Sequence, residues 1–179
     1  MSSNRENFNS WYKKVLATLY PSREAGFAIL LVAFPLLERY LRQKTGLSAD
    51  QVLSNAFYEE LARMFPELRD QAISRRFWQV YRNGLLHQIT LSRQNRGGVA
   101  LPVGWLSHDK PRIVVASDGS MWLHPVEFAQ HVVCVIEGDF ETFEGQATAP
   151  PLPKVRVHVD VASTAAPPYR TLLGTNTES

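Results

Sequence analysis

Apolar residues recur at helical spacing through the first half of the chain. The spaced apolar positions of residues 1–20 are Phe8, Trp11, Tyr12, Val15, Leu16 and Leu19. They predict an amphipathic helix that ends near Pro21, because proline cannot continue a helix. A second helix is predicted from Ser22, a suitable N-cap, to about Thr45, with Gly46 as its stop. Its middle is apolar nearly all round, which is typical of the central helix of a bundle.

Two further helices are predicted in the same half. Ser48–Gln51 matches a capping box and predicts a third helix. The positions of this helix expected to face inward are Val52, Phe57, Leu61 and Met64. Pro66 then restarts the chain into a long fourth helix that reaches about Arg93. About the first 93 residues are therefore expected to be helical.

After the fourth helix the pattern becomes extended. Asn95–Gly98 is expected to end the helix, and Leu101–Lys110 is predicted to be an ordered loop. Arg112–Ala116 and Met121–His124 flank Ser117–Ser120, whose Asp-Gly pair is typical of a tight turn. This arrangement predicts a β-hairpin. Since an isolated two-stranded hairpin is marginal in water, it is expected to pack on the bundle beside the fourth helix.

The last third of the chain combines one helix with a region of different composition. Pro125 is expected to open a fifth helix with Phe128, Val132, Val135, Ile136 and Phe140 on its core side. Residues 147–153 are proline-rich and predict a linker. Residues 154–161 alternate valine with polar residues, which predicts a strand that joins the hairpin of its own chain or of a partner. From residue 162 onward the composition predicts a flexible tail.

The predicted fold class is therefore mainly α (α+β). It is a bundle of four to five helices with a β-hairpin at about 112–124 and a flexible C-terminal tail. Residues 1–146 are predicted to form one domain, and residues 147–179 to add a linker, a strand and the tail.

Composition and charge narrow the functional classes. The chain has 45% hydrophobic and 20% charged residues, as ordinary globular proteins do. Its net charge of +2 creates no strong overall field, which argues against a general RNA binder, so any contact with RNA must come from a local patch. Such a patch is present in the sequence, because six arginines lie between residues 69 and 96.

Cysteine usage and hydropathy predict the cellular compartment. The single Cys134 excludes an internal disulfide, and its apolar neighbours predict a buried structural thiol. No signal peptide is predicted, because the first residues are polar. The longest apolar stretch, Ala25–Leu37, suits a buried helix better than a membrane span. We therefore expect a cytoplasmic protein without a membrane partner.

The fourth predicted helix carries the strongest candidates for catalytic residues. At about 100° per residue, its aromatic and aliphatic side chains fall on one arc, while Arg76, Asn83 and His87 fall on roughly the opposite side. Asn83 and His87 are four residues apart, so their side chains are expected to touch. Arg82 lies on the flank, and its long side chain could curl toward the same space or meet the motif of a second chain.

The pattern Arg82-Asn83-Gly-Leu-Leu-His87 resembles the signature of the HEPN superfamily, which comprises compact helical domains found in many RNases, toxins and phage-defence proteins. In that family the motif is an arginine, four to six residues and a histidine, often with a polar residue after the arginine. The resemblance covers this motif and the helical layout of roughly residues 5–93. It implies a homodimer in which two motifs line one cleft, a cellular role in a toxin–antitoxin or defence system, and an antitoxin or other protein partner.

These residue types suit RNA cleavage without a metal ion. The reaction needs a base for the 2′-hydroxyl, an acid for the leaving oxygen and a cation for the charged phosphorane. His87 can be the acid or the base, because histidine ordinarily titrates near neutrality. Arg82 would bind phosphate, and Asn83 would orient His87 or hold a phosphate oxygen. The supporting residues predicted to bind RNA are Arg75, Arg76 and Gln88.

Other readings of the sequence remain open. The first is a HEPN-like protein that binds RNA or a protein partner without cleaving RNA. The second is a helical interaction protein in which the polar face of the fourth helix is only solvated. No metal site is predicted, because His124, His131 and His158 lack the spacing of metal ligands. No cofactor is predicted either, because the glycines at 97–98 lack the phosphate-binding pattern.

Overall fold

The structure is a computed structural model that describes residues 3–85, 104–145 and 152. Its helices are α1 (Ser3–Asn7), α2 (Lys14–Leu19), α3 (Gly26–Lys44), α4 (Asn55–Met64), α5 (Gln71–Phe77), α6 (Pro125–Gly138) and α7 (Phe140–Glu144). Two π-helical segments, Phe8–Lys13 and Trp78–Asn83, follow α1 and α5 directly. The strands are β1 (Gly104–Leu106), β2 (Ile113–Val115) and β3 (Met121–Leu123). A mainly helical chain with a small sheet confirms the predicted fold class.

Helix α3 lies at the centre of the core. It packs against α2, α4, α6 and α7, which explains why its middle is apolar on most sides. Its side chain Phe34 is fully buried, and its ring centroid lies 4.9 Å from that of Phe128 and 5.8 Å from that of Trp78. One aromatic cluster thus joins α3 to α6 and to the second π-helical segment.

The predicted bounds of α3 need one correction. Ser22 bonds to the side chain of Glu24 and does not cap a backbone N–H, so a short 3-10 turn precedes the helix at Gly26. The predicted stop is confirmed, because Gly46 has a φ of 69°. The N–H of Leu47 donates to the carbonyl of Arg42, which satisfies one of the last carbonyls of the helix.

The third helix begins later than predicted. The backbone N–H of Ser48 does bond to the side chain of Gln51, as in a capping box, but this pair closes only a turn. The actual N-cap is Ser54, whose hydroxyl accepts from the N–H of Phe57. Val52 therefore precedes the helix, is 90% exposed and does not face inward. Phe57 and Leu61 are buried as predicted.

The fourth helix also starts later than predicted. Pro66 opens a 3-10 turn, and Arg69 has a φ of 60°, so the chain reverses before the helix begins. Asp70 is the N-cap of α5, and its carboxylate accepts from the N–H of Ile73. The first helix is closer to its prediction, because it ends at Leu19 with Phe8 and Leu16 buried.

The β-hairpin is confirmed, and the sheet has one strand more than expected. β2 and β3 pair antiparallel, and Gly119 supplies the positive φ of the turn. The third strand is β1, which pairs parallel with β3 within the segment predicted to be a loop. Because its sequence is short and contains a glycine, no alternation marked it as a strand.

Tyr81 explains how the sheet is attached to the bundle. Its buried hydroxyl lies 2.7 Å from the carbonyl oxygen of Met121 and 3.1 Å from that of Trp105, and it accepts the N–H of Trp105. Burial raises the pKa of this phenol, so the hydroxyl stays protonated and able to donate. Gly104 allows the close approach, because a Cβ there would lie 2.5 Å from a methyl group of Val80.

We expect Tyr81→Phe to lower the free energy of unfolding by about 1–3 kcal/mol, because the buried carbonyl of Met121 and the backbone groups of Trp105 lose their hydrogen-bond partner. Urea denaturation measures the change. Tyr40→Phe is the matched control, since the Tyr40 hydroxyl bonds to Asp139, which also binds Lys44 and is reached by water. Equal losses in the two variants would contradict a structural role for the Tyr81 hydroxyl.

The fifth predicted helix is confirmed as α6, with Phe128, Val132 and Ile136 buried. Phe140 is buried as predicted but belongs to α7, because the chain turns at Asp139. Cys134 is exposed, so the prediction of a buried thiol is wrong. It lies on the outer face of α6, which an apolar local sequence did not reveal.

Several predictions lie outside the described residues. They are the helix end near Arg93, the break at Asn95–Gly98, the strand at 154–161 and the tail. Leu152, within the predicted linker, is buried, and its N–H donates to the side chain of Asn4. Within residues 3–85, 104–145 and 152, no helix has both the length and the apolar character that a membrane crossing requires.

Candidate functional site

Arg82 lies on the second π-helical segment, beside the central helix α3. Its Nε and Nη2 atoms lie 2.9 Å and 2.7 Å from the same oxygen, Oε2 of Glu38. The Arg82 side chain is 22% exposed and that of Glu38 is 15% exposed. The motif arginine is therefore held against α3 by a partly buried ion pair, which the sequence analysis did not predict.

Glu38 is shared between two arginines. Its second oxygen, Oε1, lies 2.9 Å from Nε of Arg42, one turn further along α3. Nη1 of Arg42 donates to the carbonyls of Ser48 and Gln51, which ties the following turn to the helix. Two guanidinium groups thus compensate one carboxylate, and their side chains are mostly withdrawn from water.

Asn83 completes the described part of the motif. Its side-chain oxygen accepts a hydrogen bond of 3.2 Å from Nη1 of Arg82, and both residues are partly buried. The structure therefore brings these two neighbours together. The predicted contact of Asn83 with His87 lies outside the described residues, as do His87 and Gln88 themselves.

The π-helical geometry changes the rotation of the motif. The N–H of Gly84 donates to the carbonyl of Gln79, five residues earlier, as in a π-turn. Such a turn accommodates one extra residue, which rotates later side chains by about 100° relative to a regular α-helix. The angles predicted between Arg76 and Asn83 from a regular helix therefore do not apply. π-turns inside helices occur frequently at functional sites.

The two arginines predicted to bind RNA each contact other parts of the protein. Nη2 of Arg76 donates to the carbonyl of Gly119 at 2.7 Å, which fixes the hairpin turn to α5. Arg75 bonds to the side-chain oxygen of Asn55, and its guanidinium carbon lies 4.5 Å from the centroid of the Tyr58 ring. Arg75 remains on the exposed surface, whereas Arg76 is partly buried.

A cavity of about 840 Å³ opens beside Glu38 and Arg42. Its remaining lining includes Arg39 and Lys44 of α3, Ser48 of the following turn and Glu141 of α7. A volume of this size lies in the range of small-molecule sites. Glu38 and Arg42 were not predicted as site residues, although an acidic and a basic residue at i,i+4 spacing in an apolar helix are typical of an ion pair.

Two further histidines in the described part of the chain, His124 and His131, have structural contacts. Nε2 of His131 lies 3.0 Å from the carbonyl of Met64, and burial lowers the pKa of this imidazole. Nδ1 of His124 accepts the N–H of Glu127 as the N-cap of α6. Among the residues that the structure describes, no three His, Cys, Asp or Glu side chains form a group that could hold a metal ion.

No model of a known protein family matches the chain, and no curated protein or solved structure is significantly similar to it.

Proposed function

We propose that this chain is a HEPN-like, metal-independent endoribonuclease whose site is built from Arg82, Asn83 and His87. The observation that supports the proposal best is the position of Arg82 and Asn83. They are hydrogen-bonded neighbours on a π-helical segment, and the apolar side chains of that segment are buried in the core. His87 follows Arg82 by five residues in the sequence, as in the family signature.

Each residue has a role that its chemistry allows. His87 takes a proton from the 2′-hydroxyl or gives one to the leaving 5′-oxygen, because imidazole exists in both forms near neutral pH. Arg82 remains charged and stabilises the negative charge that grows on the phosphate. Asn83 accepts from Arg82 and so limits the directions in which the guanidinium can point.

A single motif contains only one titratable group. Cleavage by acid and base therefore favours a composite site in which a second copy of the chain supplies another His87. We propose a homodimer for this reason. The cellular role that fits is that of a toxin or a defence protein, with an antitoxin or another protein as its regulator.

The wild-type protein tests the proposal directly. We expect cleavage of unstructured RNA in the presence of EDTA, with 2′,3′-cyclic phosphate ends, because the 2′-oxygen is the attacking nucleophile. The end groups are read by mass spectrometry of the products. A chain that leaves several RNAs intact, or that cleaves only when a divalent metal is present, would contradict the proposal.

A second candidate is a non-catalytic module that binds RNA or a protein through the same surface. This candidate is favoured because both arginines already have partners within the protein. Arg82 binds Glu38, and Arg76 binds a backbone carbonyl. Salt-dependent RNA binding that weakens in Arg82→Ala, without any cleavage, would select this function. The absence of both binding and cleavage would favour a helical interaction protein with no role on RNA.

A further inference from the structure

The contact between Arg82 and Glu38 occupies the part of the guanidinium that suits phosphate best. The Nε and Nη2 atoms form the edge that binds carboxylates and phosphates with two parallel hydrogen bonds. In the structure both atoms lie within 2.9 Å of Oε2 of Glu38. A phosphate group that approaches this edge must therefore compete with the carboxylate.

The shared bonding of Glu38 makes that exchange feasible. If Arg82 turns toward a phosphate, Oε1 of Glu38 keeps its bond to Arg42. The carboxylate is then still compensated, so the large cost of leaving a buried charge alone is avoided. Glu38 and Arg42 also line the cavity, which is open to solvent.

We propose that Glu38 is a specificity-determining residue of the site, because its carboxylate competes with substrate phosphate for Arg82. This inference rests on the proposed function, in which Arg82 binds the phosphate of RNA. An isolated anion has to displace Glu38 with the contacts of one phosphate alone. A polynucleotide makes further contacts through neighbouring phosphates, so it displaces Glu38 more readily. Glu38 thereby restricts Arg82 to polyanionic chains.

The test uses binding of an RNA that cannot be cleaved. The probe is a fluorescent 2′-O-methyl oligoribonucleotide, which lacks the attacking hydroxyl. We expect Glu38→Gln to bind it about tenfold more tightly than the wild type, because one competing charge near Arg82 is removed. Inorganic phosphate should also bind more tightly to Glu38→Gln.

The matched control is Glu141→Gln, which removes one negative charge from the same cavity on the side of α7. We expect it to change the RNA affinity by less than about twofold, because screened charges at a distance contribute little. The double variant Glu38→Gln/Arg82→Gln should lose the gain in affinity. A gain that survives in the double variant would show that Arg82 is not the group released, and would overturn the proposal.

The other outcomes are equally decisive. A folded Glu38→Gln variant that binds RNA no more tightly than the wild type would overturn the proposal, and so would an equal gain in Glu141→Gln. If Glu38→Gln does not fold, Glu38→Asp replaces it, because the shorter carboxylate cannot hold both arginines in the same geometry. A gain in affinity is then still expected.

The test also separates this inference from the proposed function. If the wild type cleaves RNA but Glu38→Gln binds the 2′-O-methyl RNA no more tightly than the wild type, only the proposed role of Glu38 is wrong. If Glu38→Gln gains RNA affinity through Arg82 but the protein cleaves no RNA, the role of Glu38 is supported and the proposed catalytic function is wrong.

Discussion

Replacement of His87 by alanine is expected to slow RNA cleavage by about 10²–10⁴-fold, because the variant loses the group that transfers protons in the transition state. The affinity for a 2′-O-methyl RNA should change by less than about threefold, since Arg82 and the other cations remain. Single-turnover cleavage in EDTA measures the rate, and fluorescence anisotropy measures the affinity. The combination of lost rate and retained binding is specific to an acid or base.

His108→Ala is the matched control for this prediction. His108 lies in the connection after β1, where its Nε2 is 3.0 Å from the carbonyl of Arg23. Its removal deletes an imidazole outside the motif, so the cleavage rate should stay within about twofold of the wild type. Equal rates for wild type and His87→Ala would remove His87 from the reaction, even if the protein cleaves RNA.

Phe34→Ala is expected to lower the free energy of unfolding by about 3–5 kcal/mol, the usual cost of truncating a buried phenylalanine. The ring of Phe34 is fully buried and contacts aromatic rings on three other segments, namely those of Phe77, Trp78 and Phe128. Its loss leaves a cavity where α3, α5, α6 and the second π-helical segment meet. Urea denaturation measures the change, with an unchanged m-value as the sign of two-state unfolding.

Phe27→Ala supplies the comparison on the same helix. Phe27 is 43% exposed, so its truncation creates no cavity and should change the stability by about 0.5 kcal/mol or less. The two variants delete the same atoms, and only their burial differs. A similar loss in both would place the centre of the core away from Phe34.

Local patterns predicted those parts of the fold that local forces decide. α3 ends before Gly46 because Gly46 adopts a positive φ, which glycine does more readily than any other residue. The hairpin turn depends on Gly119 in the same way. The buried positions of α6 recur at the 3.6-residue period of a helix, so the spacing of apolar residues in the sequence predicts them.

The start of the third helix was predicted wrongly because two N-cap patterns lie close together in the sequence. Ser48–Gln51 has the composition of a capping box, and Ser54 is also a good N-cap, so the sequence offers two starts for one helix. The bonds from Arg42 to the carbonyls of Ser48 and Gln51 hold this turn against α3. β1 was missed for a related reason, because its strand character comes from pairing with β3 and from the Tyr81 hydroxyl.

The sequence by itself determined that this chain is mainly helical, that a hairpin precedes the helix that begins at Pro125, and that an arginine, an asparagine and a histidine lie at HEPN-like spacing. These properties depend on residues close together along the chain. The tertiary structure decided that Arg82 binds Glu38, which lies 44 residues away, and that Arg42 shares the same carboxylate. The packing of one helix against another sets these contacts, and no local pattern encodes which side chains meet there.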